Sequence, residues 1–104
     1  MNKIPYEKRL ETYTNAMIAY GEHHQITKCL EEMGECIQAI CKVMNGEDDF
    51  AHLAEEIADV TITMEQMRMI FGINDKVCEF MDAKVLRLDA QLYREAFLRD
   101  KAGR

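Results

Sequence analysis

Two short acidic phrases carry the residues with chemical potential: Leu30-Glu31-Glu32-Met33-Gly34-Glu35 and Ala54-Glu55-Glu56-Ile57-Ala58-Asp59. They read as one phrase written twice. Each places carboxylates three residues apart, Glu32 with Glu35 and Glu56 with Asp59. On a helix, such residues share a face with Cβ atoms about 5–6 Å apart. Two helices so marked would each present a two-carboxylate claw. Four oxygen donors meeting at one point suit a hard divalent cation, Mg²⁺ first and Mn²⁺ as its substitute. The plain alternative is a solvated acidic face. Solvated helix faces tend to place Lys or Arg four residues after Glu. Here Glu31 is followed at that spacing by Glu35, and Glu55 by Asp59. These like-charge pairs are mildly destabilising unless a cation neutralises them. Lys28 to Glu32 is the one ordinary contact of this kind.

The elements that must position these carboxylates are helices. Ile26, Cys29, Leu30, Met33, Cys36, Ile37, Ile40 and Met44 form an apolar stripe at helical spacing, as do Phe50, Leu53, Ile57, Val60, Met64 and Phe71. At about 100° per residue, Glu32 and Glu35 fall beyond one edge of the first stripe, and Glu56 and Asp59 beyond the same edge of the second. A turn near Asn45-Gly46-Glu47 makes the two helices an antiparallel hairpin with an approximate two-fold axis. Matching edges then emerge on one side. Counting outward from the turn sets Glu35 opposite Ala58, within a helical turn of Glu56 and Asp59, so the four carboxylates are expected to meet.

The rest of the chain reads as two further helices. Pro5 suits the first turn of a helix reaching about Tyr20 and ended by Gly21. The hairpin helices run from about His24 to Met44 and, capped by Asp48 or Asp49, on to about Ile70, with Gly72 as the stop. Asn74 or Asp75 caps a last helix to about Arg99, and Lys101 to Arg104 reads as a frayed tail. Apolar residues off the main stripes, among them Tyr13, Met17, Ile18, Tyr20, Ile62 and Met69, exceed what one hairpin can cover and point to an interface.

A chain of 104 residues with 48% hydrophobic and 31% charged residues is expected to form one soluble all-α domain spanning residues 1–104. One proline and five glycines leave few breaks, which suits long helices. The net charge of −6 argues against a nucleic-acid binder. It does not exclude a nucleotide, because a metal ion inverts the local charge. Cys29, Cys36, Cys41 and Cys78 form no Cys-x-x-Cys pair and read as reduced thiols of a cytoplasmic protein. No apolar run has membrane-spanning length, and no signal peptide opens the sequence.

Beside the acidic centre, Gln25 and Lys28 continue the row of Glu32, Glu35 and Ala39, where they would border a substrate. His52 precedes Glu56, Asp59 and Thr63 in the matching row; a partly exposed histidine is the plain reading, a ligand or base the chemical one. His23 and His24 read as solvated. On the last helix Lys84, Arg87 and Arg94 share a face. These cations either contact phosphate or form an ordinary solvated face.

Glu-x-x-Glu on one helix and Glu-x-x-Asp on the next, in a short all-helical chain, resembles the MazG-like all-α nucleoside triphosphate pyrophosphohydrolases. Lys28 to Glu35 and Glu55 to Val60 carry the resemblance, which covers roughly residues 20–90. It implies a four-helix MazG-like bundle with a central hairpin, and Mg²⁺-dependent hydrolysis of a nucleoside triphosphate to monophosphate and pyrophosphate. Glu32, Glu35, Glu56 and Asp59 would hold the metal, with Glu32 and Glu35 as the catalytic pair and Glu35 as the carboxylate that orients or deprotonates water. Gln25, Lys28, Lys84 and Arg87 would contact substrate. The family's last helix often reads Lys-x-x-x-Asn-x-x-Arg. Here Leu88 and Gln91 follow Lys84 at those positions, so the pattern is not kept; Lys84-x-x-Arg87-Leu88 resembles a variant of small phage-type members. Members are typically dimers or tetramers, which implies a homodimer or homotetramer with its pocket near a subunit boundary. A dUTP, dCTP or phosphoribosyl-ATP pyrophosphatase is the alternative inside the superfamily. A non-catalytic helical interaction module is the alternative outside it.

Overall fold

A computed structural model describes residues 3–103. The described chain is all-α: α1 Tyr6–Tyr20, α2 Glu22–Met44, α3 Phe50–Ile70 and α4 Asn74–Ala102, with no strand. It divides at Phe71 and Gly72 into two compact units, one holding α1 to α3 and the other α4. None of the described helices is long and apolar enough to cross a membrane.

Local chemistry sets the boundaries. Gly46, at φ 72°, takes the left-handed conformation that ends α2, and Glu47 N–H returns to Lys42 O at 2.8 Å. Asp49, rather than Asp48, caps α3 by accepting from His52 N–H at 2.8 Å. Helix α2 starts at Glu22, one residue past Gly21 and earlier than the expected His24. Neither Asn74 nor Asp75 caps α4. Both lie inside it, and Ile73 takes the cap position without a side-chain cap hydrogen bond. The expected frayed tail is corrected over its described part, Arg104 lying outside the described residues. Helix α4 continues to Ala102, with Arg99 and Lys101 placing cations in the last turn, where the helix dipole favours them.

The largest correction concerns the packing line. Helix α2 buries only Cys29 and Cys36 of its apolar stripe. It buries Gln25, Cys29, Glu32, Cys36 and Ala39, a line rotated by roughly a quarter turn from the stripe at about 100° per residue. Leu30 remains 65% exposed and Met44 80%, with Met33, Ile37 and Ile40 exposed between them. Helix α3 matches it: Thr63 and Gln66 are buried and Glu56 partly buried, whereas Phe50, Ile57, Met64 and Phe71 are exposed. The physical reason lies in side-chain size. Cys and Ala let two helix backbones approach closely, whereas Leu, Met and Ile hold them apart. The two stripes have the same angular offset, so by the two-fold of the hairpin they emerge on one side of it.

Across the line, Gln25 Nε2 donates to Gln66 Oε1 at 2.6 Å and Cys29 Sγ lies 3.6 Å from Met64 Sδ. The buried apolar residues of the described chain are only Tyr13, Cys29, Cys36 and Ala39. Helix α1 meets α3 through the Arg9–Glu65 ion pair at 3.2 Å and Thr14 against Met69. Between them lies a cleft of about 460 Å³ lined in part by Tyr13, Thr61, Ile62 and Glu65. Tyr13, which helical spacing sets on the core face of α1 with Leu10, Thr14, Met17 and Ile18, is the best buried aromatic, at 4% exposure, whereas Ile18 and Tyr20 are exposed. Helix α4 has no buried residue.

The Tyr13 hydroxyl is buried beside the Glu65 carboxylate but makes no well-formed hydrogen bond to it. Burial raises the phenol pKa above 10.0, and the Glu65 charge adds to the shift. Removing an unpartnered hydroxyl removes a desolvation cost, so Tyr13→Phe should unfold within about 1 kcal/mol of the parent, or later. Tyr13→Ala forfeits the ring's burial and should lose about 3 kcal/mol, by comparison with buried Phe→Ala changes. Urea unfolding of both variants checks this. A large loss in Tyr13→Phe would mean that the hydroxyl is bonded.

Candidate metal centre

The packing line brings acidic groups of both helices together. Carboxylate oxygens of Glu32 and Glu35 on α2 and of Glu56 on α3 lie within 4.8 Å of one another. Glu32 is only 7% exposed, because it sits in the line itself between Cys29 and Cys36. Its Oε1 is 3.4 Å from Lys28 Nζ, while its Oε2 is buried with no partner. Glu56 repeats the pattern on α3: Oε1 is 3.2 Å from His52 Nε2, and Oε2 is buried and unpartnered. Glu35 is exposed at the edge. The negative charge of Glu32 raises its pKa above 4.5, with desolvation and then Glu56 adding to the effect.

Asp59 stands one turn beyond Glu56, exposed, and does not join the three. The expected meeting of four carboxylates is therefore a meeting of three. The aspartate arm is one methylene shorter than that of glutamate, so from the same row as Glu56 and Thr63 its carboxylate reaches less far.

The other residues singled out by spacing have distinct positions. Gln25 is buried, with its amide committed to Gln66 and to His24 Nδ1 at 2.9 Å, so it braces the hairpin rather than bordering an open site. Lys28 is exposed and paired with Glu32. Lys84 and Arg87 are exposed on α4. Two contributors were missed. Gln66 extends the row of Glu56, Asp59 and Thr63 by a further three residues, which was the available signal. Asp48 bonds His52 Nδ1 through Oδ2; its place four residues before His52 was legible, but a cap was the expected role. The two carboxylates beside His52 raise its pKa above 6.5, Asp48 first, and its hydrogen bond lowers that of Asp48.

Chemically, two anionic oxygens out of water and without hydrogen bonds are costly. A cation between them would answer both, and an all-oxygen donor set fits a hard divalent ion. Comparison with known protein families, with curated proteins and with solved structures finds no match to this chain.

The raised pKa of Glu35 gives a pH dependence of definite sign. Below about 4.5 the group is protonated in folded and unfolded chains alike, and no repulsion is felt. As pH rises through 4.5 and then through the higher folded value, the folded state loses stability. In chelator, Glu35→Gln should therefore melt above the parent at pH 7, with the gap closing in acid. Melting curves across this range check it; a gap independent of pH would dissociate Glu35 from the acidic cluster.

Proposed function

We propose that this chain is a Mg²⁺-dependent nucleoside triphosphate pyrophosphohydrolase of the MazG-like kind, cleaving a (d)NTP to (d)NMP and pyrophosphate. One observation carries the reading: carboxylates from two adjacent helices gather within 4.8 Å, and two of their oxygens are buried and unpartnered. The paired Glu-x-x-Glu and Glu-x-x-Asp phrases supply the activity by resemblance.

In this reading Glu32 and Glu56 hold Mg²⁺, with Glu35 and Asp59 completing the set; Mn²⁺ would substitute. When bound, the ion supplies charge neutralisation at phosphate oxygens and a lowered pKa for water. Glu35, exposed and with a raised pKa, is the carboxylate suited to orient a water and take its proton. The water oxygen bonds to phosphorus, the bridge between the α- and β-phosphates breaks, and its electron pair leaves with pyrophosphate. Lys28 neutralises Glu32 before substrate arrives, and Lys84 and Arg87 are the cations assigned to developing phosphate charge.

The working form is a homodimer or homotetramer, because the exposed apolar side of the hairpin needs a cover and a second copy supplies a self-complementary one. The pocket then lies near a subunit boundary. The four free thiols suit a reducing cytoplasm.

A screen of nucleoside triphosphates with Mg²⁺, reading pyrophosphate, tests the activity. Glu32→Gln and Glu56→Gln should each lower turnover by at least about 100-fold, since even groups behind a metal ligand are worth 10–100-fold. They should also abolish stabilisation by Mg²⁺ while keeping the helical circular dichroism. Full activity in both variants, or no turnover of any triphosphate by the parent, ends this reading. Light scattering at micromolar concentration should give a multiple of the chain mass, and Ile37→Glu should lower it. A fully active monomer would overturn the shared pocket.

A further inference from the structure

Asp48, His52 and Glu56 stand at four-residue steps where α3 begins, forming a ladder that ends on the acidic cluster. Its outer rung is fixed by two contacts. Asp48 Oδ1 accepts from Asp49 N–H at 2.8 Å, and Asp48 Oδ2 bonds His52 Nδ1. Asp49 Oδ1 accepts from His52 N–H at 2.8 Å, which fixes the backbone beneath the ring. The imidazole is thus set from behind, and its other nitrogen, Nε2, lies 3.2 Å from Glu56 Oε1. Glu56 divides its oxygens accordingly: Oε1 faces the ring, and Oε2 is buried without a partner. Glutamate otherwise has free rotation about several bonds, and ordering it costs side-chain entropy. The ring takes that cost in the folded protein, before any ion arrives.

We propose that His52, anchored by Asp48, is a positioning residue that holds Glu56 Oε1 and so presents Glu56 Oε2 to a divalent cation. The inference rests on the metal reading above and adds the group behind the ligand. Carboxylate ligands are commonly hydrogen-bonded in turn, and such partners fix their orientation. The arrangement is intrinsic to the start of α3, so it does not depend on assembly.

The test uses the full chain at one fixed pH and reads melting temperature against Mg²⁺ concentration, alongside pyrophosphate release. His52→Ala should weaken the apparent Mg²⁺ affinity by about 10- to 100-fold. His52→Gln, which keeps a donor within reach of Glu56, should restore most of it. Asp48→Ala should weaken it by an intermediate factor, although Asp48 lies one step further from the cluster. If His52→Ala only lowers the melting temperature at every Mg²⁺ concentration alike, the ladder is a helix-start brace and the proposal falls. Glu56→Gln separates the two failures. If the parent responds to Mg²⁺, Glu56→Gln does not and His52→Ala does as the parent does, the metal site stands and the positioning role is refuted. If the parent itself gives no Mg²⁺ response, both fall together.

Discussion

The burial of Glu32 in the line along which α2 meets α3 is the constraint on which the hairpin depends. A carboxylate removed from water is destabilising unless its oxygens are answered. Here one oxygen faces Lys28 and the other has no hydrogen-bond partner among the described residues. The same line carries the Gln25–Gln66 amide pair and the hydroxyl of Thr63, which turns back to Asp59 O at 3.1 Å. Between these polar groups stand only Cys29, Cys36 and Ala39 on α2. Small residues allow the backbones to close, and closure carries the carboxylates of both helices together. The contact is therefore specific before it is adhesive: its polar pairs fix register while burying little apolar area.

That division leaves the apolar residues elsewhere. With large side chains such as Leu30, Ile37, Met44 and Phe50 facing water, the described chain has no fully buried large side chain. Burial of apolar surface at roughly 25 cal/mol per Å² is the main force for folding, and here most of it is unspent within one chain. Helix α4, with no buried residue, has the same unmet need. The polar contact line and the bare apolar side are two consequences of one choice, the quarter-turn rotation of each helix.

Charge is distributed to match. The acidic edge gathers like charges that repel, as the raised pKa of Glu35 records. The nitrogen groups nearest the cluster, Lys28 Nζ and the His52 ring, each touch one oxygen of one glutamate and leave the other without a hydrogen-bond partner. Partial compensation of this kind keeps the hairpin foldable while preserving donor atoms.

The sequence by itself determined the helices and their stops. Local terms dominate there: apolar spacing, Asp49 as a cap and glycines able to take positive φ act within a few residues. The pairing of Glu32 with Glu35 and their meeting with Glu56 were legible for the same reason, since helical geometry and a short turn leave little freedom. Tertiary structure decided which face packs. Hydrophobic periodicity located the apolar stripe but not its partner, because close approach through Cys29, Cys36 and Ala39 competes with burial of Leu30 and Ile37, and that balance depends on both helices at once. It also withdrew Gln25 into the hairpin, where its amide meets Gln66. Each of these outcomes rests on a rotation of the helix axes, and a difference of about 100° moves a side chain from an exposed flank into the contact line.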